Sequence, residues 1–499
     1  MKKNLILSLL LLASATLQAE IKTPAVIGDH MVLQRNTQAR LWGWSSPNSH
    51  LTVETSWGDQ TYRTTADEKG RWEIAVQTGD ATFEAQNIVI CEYKPSEYRA
   101  GRAAIRYQSE LQLFDRITIN DILIGEVWLA SGQSNMQMPL KGFPGAAILN
   151  GQADATNAFR ENPGVRMMVV ELDQKLEEQE NCQGEWTTAR FPNPMNWSAT
   201  AYYFASALSQ SLQIPVGIVT SAYGGATVES WTSRDVLKQY EDIDLVPEHI
   251  MAIEPHYVRP LLMYNAMFCP IKDYTYKGII WYQGESNVGK GPSSKNYAKR
   301  LANMVKLWRS EIGLGDIPFL SVEIAPYAYD GDQQGCAAFL REQQYKAQKL
   351  IPNYHLVSTN DLVEDFELHN IHPRQKQKVG QRLCWMALNR CYGLTQVCCA
   401  GPRYKDLEVK GDSCFISFYD LQMGICRNYD IQGFEIAGPD KVFYPAETTM
   451  LRWQTNEVVV HTSHVKNPVA VRYCFKDFEV GNLIGGNELP AFPFRTDNW

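Results

Sequence analysis

The sequence predicts an α/β protein: a mostly parallel β-sheet covered by helices on both faces, with β-rich domains on its N-terminal and C-terminal sides. Three observations predict it. From about residue 117 to about residue 398, short apolar runs alternate with amphipathic stretches of helical period. Before and after that region the pattern changes to two-residue alternation broken by turn residues. Finally, an apolar run from Ile122 to Leu129 stops abruptly at the small polar loop Ser131-Gly132-Gln133-Ser134-Asn135, which is how a buried strand presents a functional loop.

Taken in order, residues 1–19 carry Lys2 and Lys3, an apolar stretch from Leu5 to Leu12 and a small-residue end at Ala19. That is the pattern of a secretory signal peptide, and the apolar part is far short of the roughly 18 residues that span a bilayer. No later segment reaches that length, so the expectation is an exported protein, periplasmic or extracellular, without a membrane span. Residues 20–110 alternate as Arg40-Leu41-Trp42-Gly43-Trp44 and Arg71-Trp72-Glu73-Ile74-Ala75-Val76, with turns at Pro47-Asn48 and Lys69-Gly70, and predict a small β-sandwich. Residues 111–398 form the α/β domain. Its expected strands are 122–129, 165–170, 216–220, 278–282, 319–324 and 355–358, and its main helices 199–212, 297–312, 337–350 and 375–388. Residues 399–499 return to β alternation and form the C-terminal β-rich domain.

Composition narrows the function. The chain has 47 basic and 55 acidic residues, and loss of Lys2 and Lys3 with the leader brings the net charge from −8 to −10. Without a Lys/Arg cluster there is no electrostatic footprint for nucleic acid, and small or neutral substrates fit better. Eleven cysteines leave at least one outside any set of internal bridges, and a chain of this size with 44% hydrophobic residues and 13 Trp needs no disulfide framework. Cysteines crowd the last quarter, where some could bridge. No Cys-x-x-Cys pair occurs and His461-Thr462-Ser463-His464 lacks a nearby acid, so no metal is expected.

Four polar clusters follow apolar runs or precede a helix: Gly132-Gln133-Ser134-Asn135-Met136, Tyr223-Gly224-Gly225-Ala226-Thr227, Trp281-Tyr282-Gln283-Gly284-Glu285-Ser286-Asn287, and Asn370-Ile371-His372-Pro373. Acyl transfer by serine needs a nucleophile, a base and donors aimed at the developing oxyanion. Ser134 suits the attack and His372 the base. The backbone N–H of Ser134, that of Gly224 or Gly225, and the Gln283 amide suit the oxyanion. Gly132 supplies half of a Gly-x-Ser-x-Gly elbow, but Met136 stands at the second glycine position, which argues against an α/β-hydrolase.

With serine first and histidine last, the four clusters resemble the four blocks of the SGNH (GDSL-type) hydrolases, most closely the sialate O-acetylesterase family. Asp29-His30-Met31-Val32-Leu33-Gln34 and Pro493-Phe494-Arg495-Thr496-Asp497-Asn498-Trp499 look like further signatures of that family, so the resemblance spans nearly all the mature chain. It implies a flavodoxin-like sheet, an acetylated carbohydrate as substrate, a functional set of Ser134, Gly225, Gln283 and His372, and no cofactor. Gln133, Asn135, Glu285 and Asn287, in the same blocks, are candidates for substrate contact.

One departure stands out. The superfamily often carries an Asp three residues before the histidine, where this chain has His369. Replacing the acid of a serine-protease triad by an amide costs about 10⁴ in rate when it imposes the wrong tautomer. Either a Ser-His dyad operates or an acid arrives from elsewhere, with Asp361 first to test and Glu364, Asp365 and Glu367 nearby. A free histidine titrates near ~6.5, so activity is expected to fall below about pH 6. Competing readings are an acetyl xylan esterase or other polysaccharide deacetylase of the same mechanism, a glycoside hydrolase using Glu229 and Glu285, and a catalytically inactive carbohydrate-binding protein.

Overall fold

A computed structural model of the protein describes residues 20–95, 111–421, 423–426, 428–450 and 456–499. The expected signal peptide lies outside the described residues.

The molecule is organised on one long strand, β7 (Leu111–Gly132). Its first half alternates polar and apolar residues and pairs antiparallel with β6 (Thr82–Pro95) of the N-terminal region. Its second half, Ile122 to Gly132, is buried at every position and pairs in parallel with the central strands of the α/β sheet. Burial on both faces explains why that half reads as an unbroken apolar run. The expected boundary at residues 110 and 111 is therefore the start of a strand that both regions share.

N-terminal to β7, β1 (Val32–Gln34) lies parallel beside it, and β3 (His50–Thr55) pairs with β4 (Thr61–Thr65) and with β6. A separate ribbon of β2 (Gln38–Trp44) and β5 (Arg71–Gln77) completes this region, burying Leu41, Trp42, Trp72 and Val76 in one cluster with Leu51, Val53, Ile88 and Ile90.

The α/β sheet continues through β8 (Val165–Val169), β9 (Trp186–Thr188), β10 (Val216–Ala222), β11 (Gly278–Tyr282), β12 (Phe319–Val322) and β13 (Tyr354–Val357). Its order is β13-β12-β11-β7-β10-β8-β9, and every pair is parallel except β8 with β9. One buried cluster holds the three indoles of Trp231, Trp281 and Trp308 and runs on into the N-terminal strands. The other packs Ala130, Ile218 and Ile280 with the helices Ala199–Leu212 and Lys376–Cys391. The helices Tyr297–Ile312 and Ala337–Ala347 complete the four expected ones.

Among the described residues the C-terminal region holds two four-stranded antiparallel sheets, one containing Arg403–Lys410, Ser413–Tyr419 and Glu457–His461, the other Phe434–Ala437 and Ala470–Tyr473. Both terminal signatures do structural work. His30 bonds Asp121 (2.7 Å), which also takes two bonds from Arg166 (2.8 and 3.1 Å), and Gln34 bonds Glu126 (3.1 Å), clasping β1 to β7. Asp497 is buried against Arg472 (2.8 and 2.9 Å). No helix among the described residues is long and apolar enough to cross a membrane, and Cys269, Cys384, Cys414 and Cys474 are buried thiols.

Candidate active site

Gly132 at the end of β7 is in register with Ala222 of β10 on one side and Tyr282 of β11 on the other. The first three polar clusters therefore emerge side by side at the carboxyl edge of the sheet, the usual place for ligands in such folds. Gly132 leaves the strand at φ +137°, where a Cβ would lie 2.1 Å from the Tyr282 carbonyl oxygen, so only glycine fits. The chain then makes a single helical turn, Ser134–Gln137, with Gln133, Asn135 and Met136 buried and Ser134 partly open. The helix Ala199–Leu212 holds this turn from behind. Its capping Ser198 hydroxyl accepts from the Ala201 N–H (3.1 Å) and donates to the Met136 carbonyl (2.5 Å), and the Thr200 hydroxyl donates to the Asn135 carbonyl (3.1 Å). Among the described residues, neither the hydroxyl nor the N–H of Ser134 has a protein partner.

The expected oxyanion donors divide. Gly225, at φ +79°, has no protein acceptor for its N–H among the described residues, and the Tyr257 ring occupies the space of the missing Cβ, 2.3 Å from where it would be. The Gly224 N–H, by contrast, donates to Gln137 Oε1 (2.7 Å). Gln283 Nε2 faces the Ala226 carbonyl (3.0 Å), Asn287 Oδ1 (2.7 Å) and Gln133 Oε1 (3.2 Å), while its Oε1 accepts from the Tyr297 hydroxyl (2.7 Å). An amide has two hydrogens to donate, so both are committed inside the protein.

The four candidates for substrate contact are also buried and bonded within the protein. Gln133 Oε1 accepts from the N–H groups of Gly284 (3.2 Å) and Ser286 (3.3 Å), tying the serine turn to the loop after β11. Asn287 donates to Glu229 (2.9 Å) and Ser293 (2.6 Å). Asn135 Nδ2 donates to Glu285 (2.5 Å) and to the Ile371 carbonyl (3.0 Å). Burial holds the Glu285 carboxyl above the usual carboxylate range. Glu229 is held by Arg300 (2.7 Å), itself bound to Asp242, so Glu229 and Glu285 do not form the open carboxylate pair of a glycosidase.

The bond from Asn135 to Ile371 sets the fourth cluster beside the first, because it joins the residue after Ser134 to the residue before His372. Within the histidine loop, Asn370 accepts from the His372 N–H (3.1 Å) and donates to its carbonyl (3.0 Å), while the buried Glu367 takes the Arg374 N–H (2.9 Å). Phe143 meets the half-buried imidazole edge-on, 5.2 Å between ring centres. No carboxylate bonds the imidazole among the described residues. Asp361 lies elsewhere: both of its oxygens bond Arg382 (2.7 Å each), a guanidinium buried on the last helix that requires an anion. Glu364 and Asp365 are exposed. Burial, then the Lys376 ammonium, lower the His372 pKa to about 4, which moves the expected acid limit of activity well below pH 6.

Lys376 is the site residue that sequence reasoning missed. It is 1% exposed, its Nζ donates to Asn135 Oδ1 (2.5 Å), and burial pushes it down to about 7 against the pull of Glu285 and Glu367. The signal was present: Lys376 shares a helical stripe with Val379, Gly380 and Leu383, a cation on the face that is otherwise buried and apolar.

Known proteins similar to this chain are carbohydrate esterases. The profile of the family described as "Carbohydrate esterase, sialic acid-specific acetylesterase" matches residues 124–389. The human sialate O-acetylesterase is 25% identical over 505 aligned residues, covering 95% of this chain and 91% of its own, and the mouse enzyme is 25% identical over 479. A crystal structure of a carbohydrate acetylesterase from Xanthomonas citri superposes with a TM-score of 0.81 at 29% identity, covering 96% of this chain and 100% of that one.

Proposed function

The chain belongs to the sialic acid-specific acetylesterase family of carbohydrate esterases, and from that premise we propose that it is an exported enzyme that removes O-acetyl groups from sialic acid through an acetyl-Ser134 intermediate. The observation that carries the reading is the Asn135 bond to Ile371, which sets the serine turn against the histidine loop at the carboxyl edge of the sheet.

Ser134 Oγ attacks the acetyl carbonyl carbon while His372 takes its proton. The carbonyl oxygen, now negative, is held by the two N–H groups left open, those of Ser134 and Gly225. Gly224 and Gln283 act behind them, Gly224 through Gln137 and Gln283 by fixing the Ala226 carbonyl next to Gly225. The tetrahedral adduct collapses, His372 returns the proton to the departing sugar oxygen, and the acetyl group stays on Ser134. Water, deprotonated by His372, then attacks the acetyl-enzyme, and acetate leaves as His372 returns that proton to Ser134 Oγ. No metal or organic cofactor takes part. With Asp361 held by Arg382, Ser134 and His372 work as a dyad, the imidazole positioned by its loop and by Phe143.

Initial rates on O-acetylated sialic acid and on acetylated xylan fragments, each with wild type and Ser134→Ala, test the reading. The expected result is acetate release favouring the sialic acid and abolished in Ser134→Ala. A preference for xylan assigns the polysaccharide deacetylase reading instead, and near-wild-type turnover by Ser134→Ala rejects the serine mechanism.

A further inference from the structure

We propose that Lys376 is a positioning residue of the esterase site, a buried ammonium that fixes the Asn135 side chain and through it locks the serine turn to the histidine loop. The inference rests on the reading of Ser134 and His372 as the reacting pair.

An asparagine amide can point either way, and its orientation decides what it donates to and accepts from. Asn135 is completely buried, so no water corrects a wrong choice. As an ammonium, the form it keeps below about pH 7, Lys376 has only donors to offer, and its Nζ lies 2.5 Å from Asn135 Oδ1. That contact forces the Nδ2 end of the amide toward Glu285 Oε1 and the Ile371 carbonyl. The consequence is local, because Asn135 follows Ser134 and Ile371 precedes His372. Without the ammonium the amide is free to flip, presenting its oxygen to a carbonyl and a carboxylate, and the two catalytic loops lose the bond that joins them.

Lys376 also acts across space. The charged groups around the latch are Lys376 on the last helix, Glu285 on the turn after β11 and Glu367 on the histidine loop, while the Tyr282 ring lies 5.4 Å from Nζ. Arg374 and Glu364, which also flank the histidine, are solvent-facing and 3.5 Å apart. Of these, Lys376 is the charge that disfavours protonation of His372, adding to the effect of burial. It therefore helps keep the base neutral in addition to holding it in place.

Two variants separate these effects. Lys376→Met removes both the donor and the charge, and Lys376→Gln keeps a donor for Asn135 without the charge. On an aryl acetate, Lys376→Met is expected to lose about 10²-fold in kcat/KM, the scale of a misplaced reacting pair. Its acid limb should rise by up to about one unit, the smaller part of the shift beside burial, as the loss of a nearby cation requires. Lys376→Gln should regain part of the rate on the plateau while keeping the raised limb. Far-UV circular dichroism and thermal melting identify the folded variants. A folded variant with wild-type rate and an unmoved limb overturns the proposal, as does a rate loss with the limb in place in both variants. Should neither fold, Asn135→Ala cuts the same latch while leaving the ammonium opposite Glu285, and must lose rate with its limb unmoved; a near-wild-type rate there overturns the proposal. Ser134→Ala on the same ester keeps the two failures apart, since activity in that variant rejects the serine mechanism and says nothing against the latch.

Discussion

In the proposed mechanism His372 must be neutral when substrate arrives, and two features of its surroundings keep it so. Burial and the Lys376 ammonium lower its pKa to about 4, which leaves the imidazole unprotonated over a wider range than a free histidine. Protonation is what stops the reaction, so a lowered pKa moves the acid limb of kcat/KM down, toward pH 4 and away from the ordinary value of about 6.5. A pH profile on a neutral acetyl ester measures it, and a limb at pH 6 or above would contradict the environment described for His372. Ser134, the glycines and His372 stood out as candidates in the sequence because the serine and the glycines sit in short motifs behind apolar runs and the histidine in one just before a helix. The division of labour was not. Nothing in Tyr223-Gly224-Gly225 says that Gln137 takes the first glycine's N–H while Tyr257 packs on the second, because both partners come from other segments. The absence of an acid before His372 was equally visible, but only Arg382 explains why Asp361 does not replace it.

The parallel strands were readable as elements because burial on both faces leaves uninterrupted apolar runs, and β11 begins and ends where its run does. Strand β7 was seen only in its second half. Residues 111–121 mix apolar residues with Asp115, Arg116 and Asp121, so the pattern resembles an ordinary outer strand and hides its continuity with the buried half. The loops after β10 and β11 depend on ion pairing between elements. Glu229 and Arg300, both under 10% exposed, join the glycine loop to the helix Tyr297–Ile312, and Asp242 takes the other side of the guanidinium. Removing one member of a buried pair leaves the other uncompensated, so Arg300→Leu is expected to cost about 3–5 kcal/mol. Urea unfolding followed by tryptophan fluorescence checks this. A loss under about 1 kcal/mol would mean that the network contributes little to holding the loop.

At the scale of the whole molecule, the flanking regions meet the α/β domain through charge and hydrogen bonding as well as apolar packing. β1 is clasped to β7 through Asp121 and Glu126. On the other side Asp477 accepts from the N–H groups of Gly335 and Ala337 at the start of the helix Ala337–Ala347, and Arg341 donates to the carbonyls of Lys476 and Asp477. Asp477→Ala removes a carboxylate cap, and the expected loss is about 1–2 kcal/mol, seen as a lower melting temperature, with the acid limb of the esterase reaction unmoved. A shifted limb would tie this joint to the active site, which the geometry does not. Three regions were visible in the sequence from the change of period, but the joints were not, since each is made by residues distant in the chain.

The central claim is that Ser134 carries the acetyl group, and the most direct measurement is peptide mass spectrometry on enzyme mixed with an acetyl ester and quenched rapidly in acid. The account predicts an acetyl group on the peptide containing Ser134, formed within a turnover and absent in Ser134→Ala. Turnover without that adduct, or with the acetyl group on another residue, would contradict it.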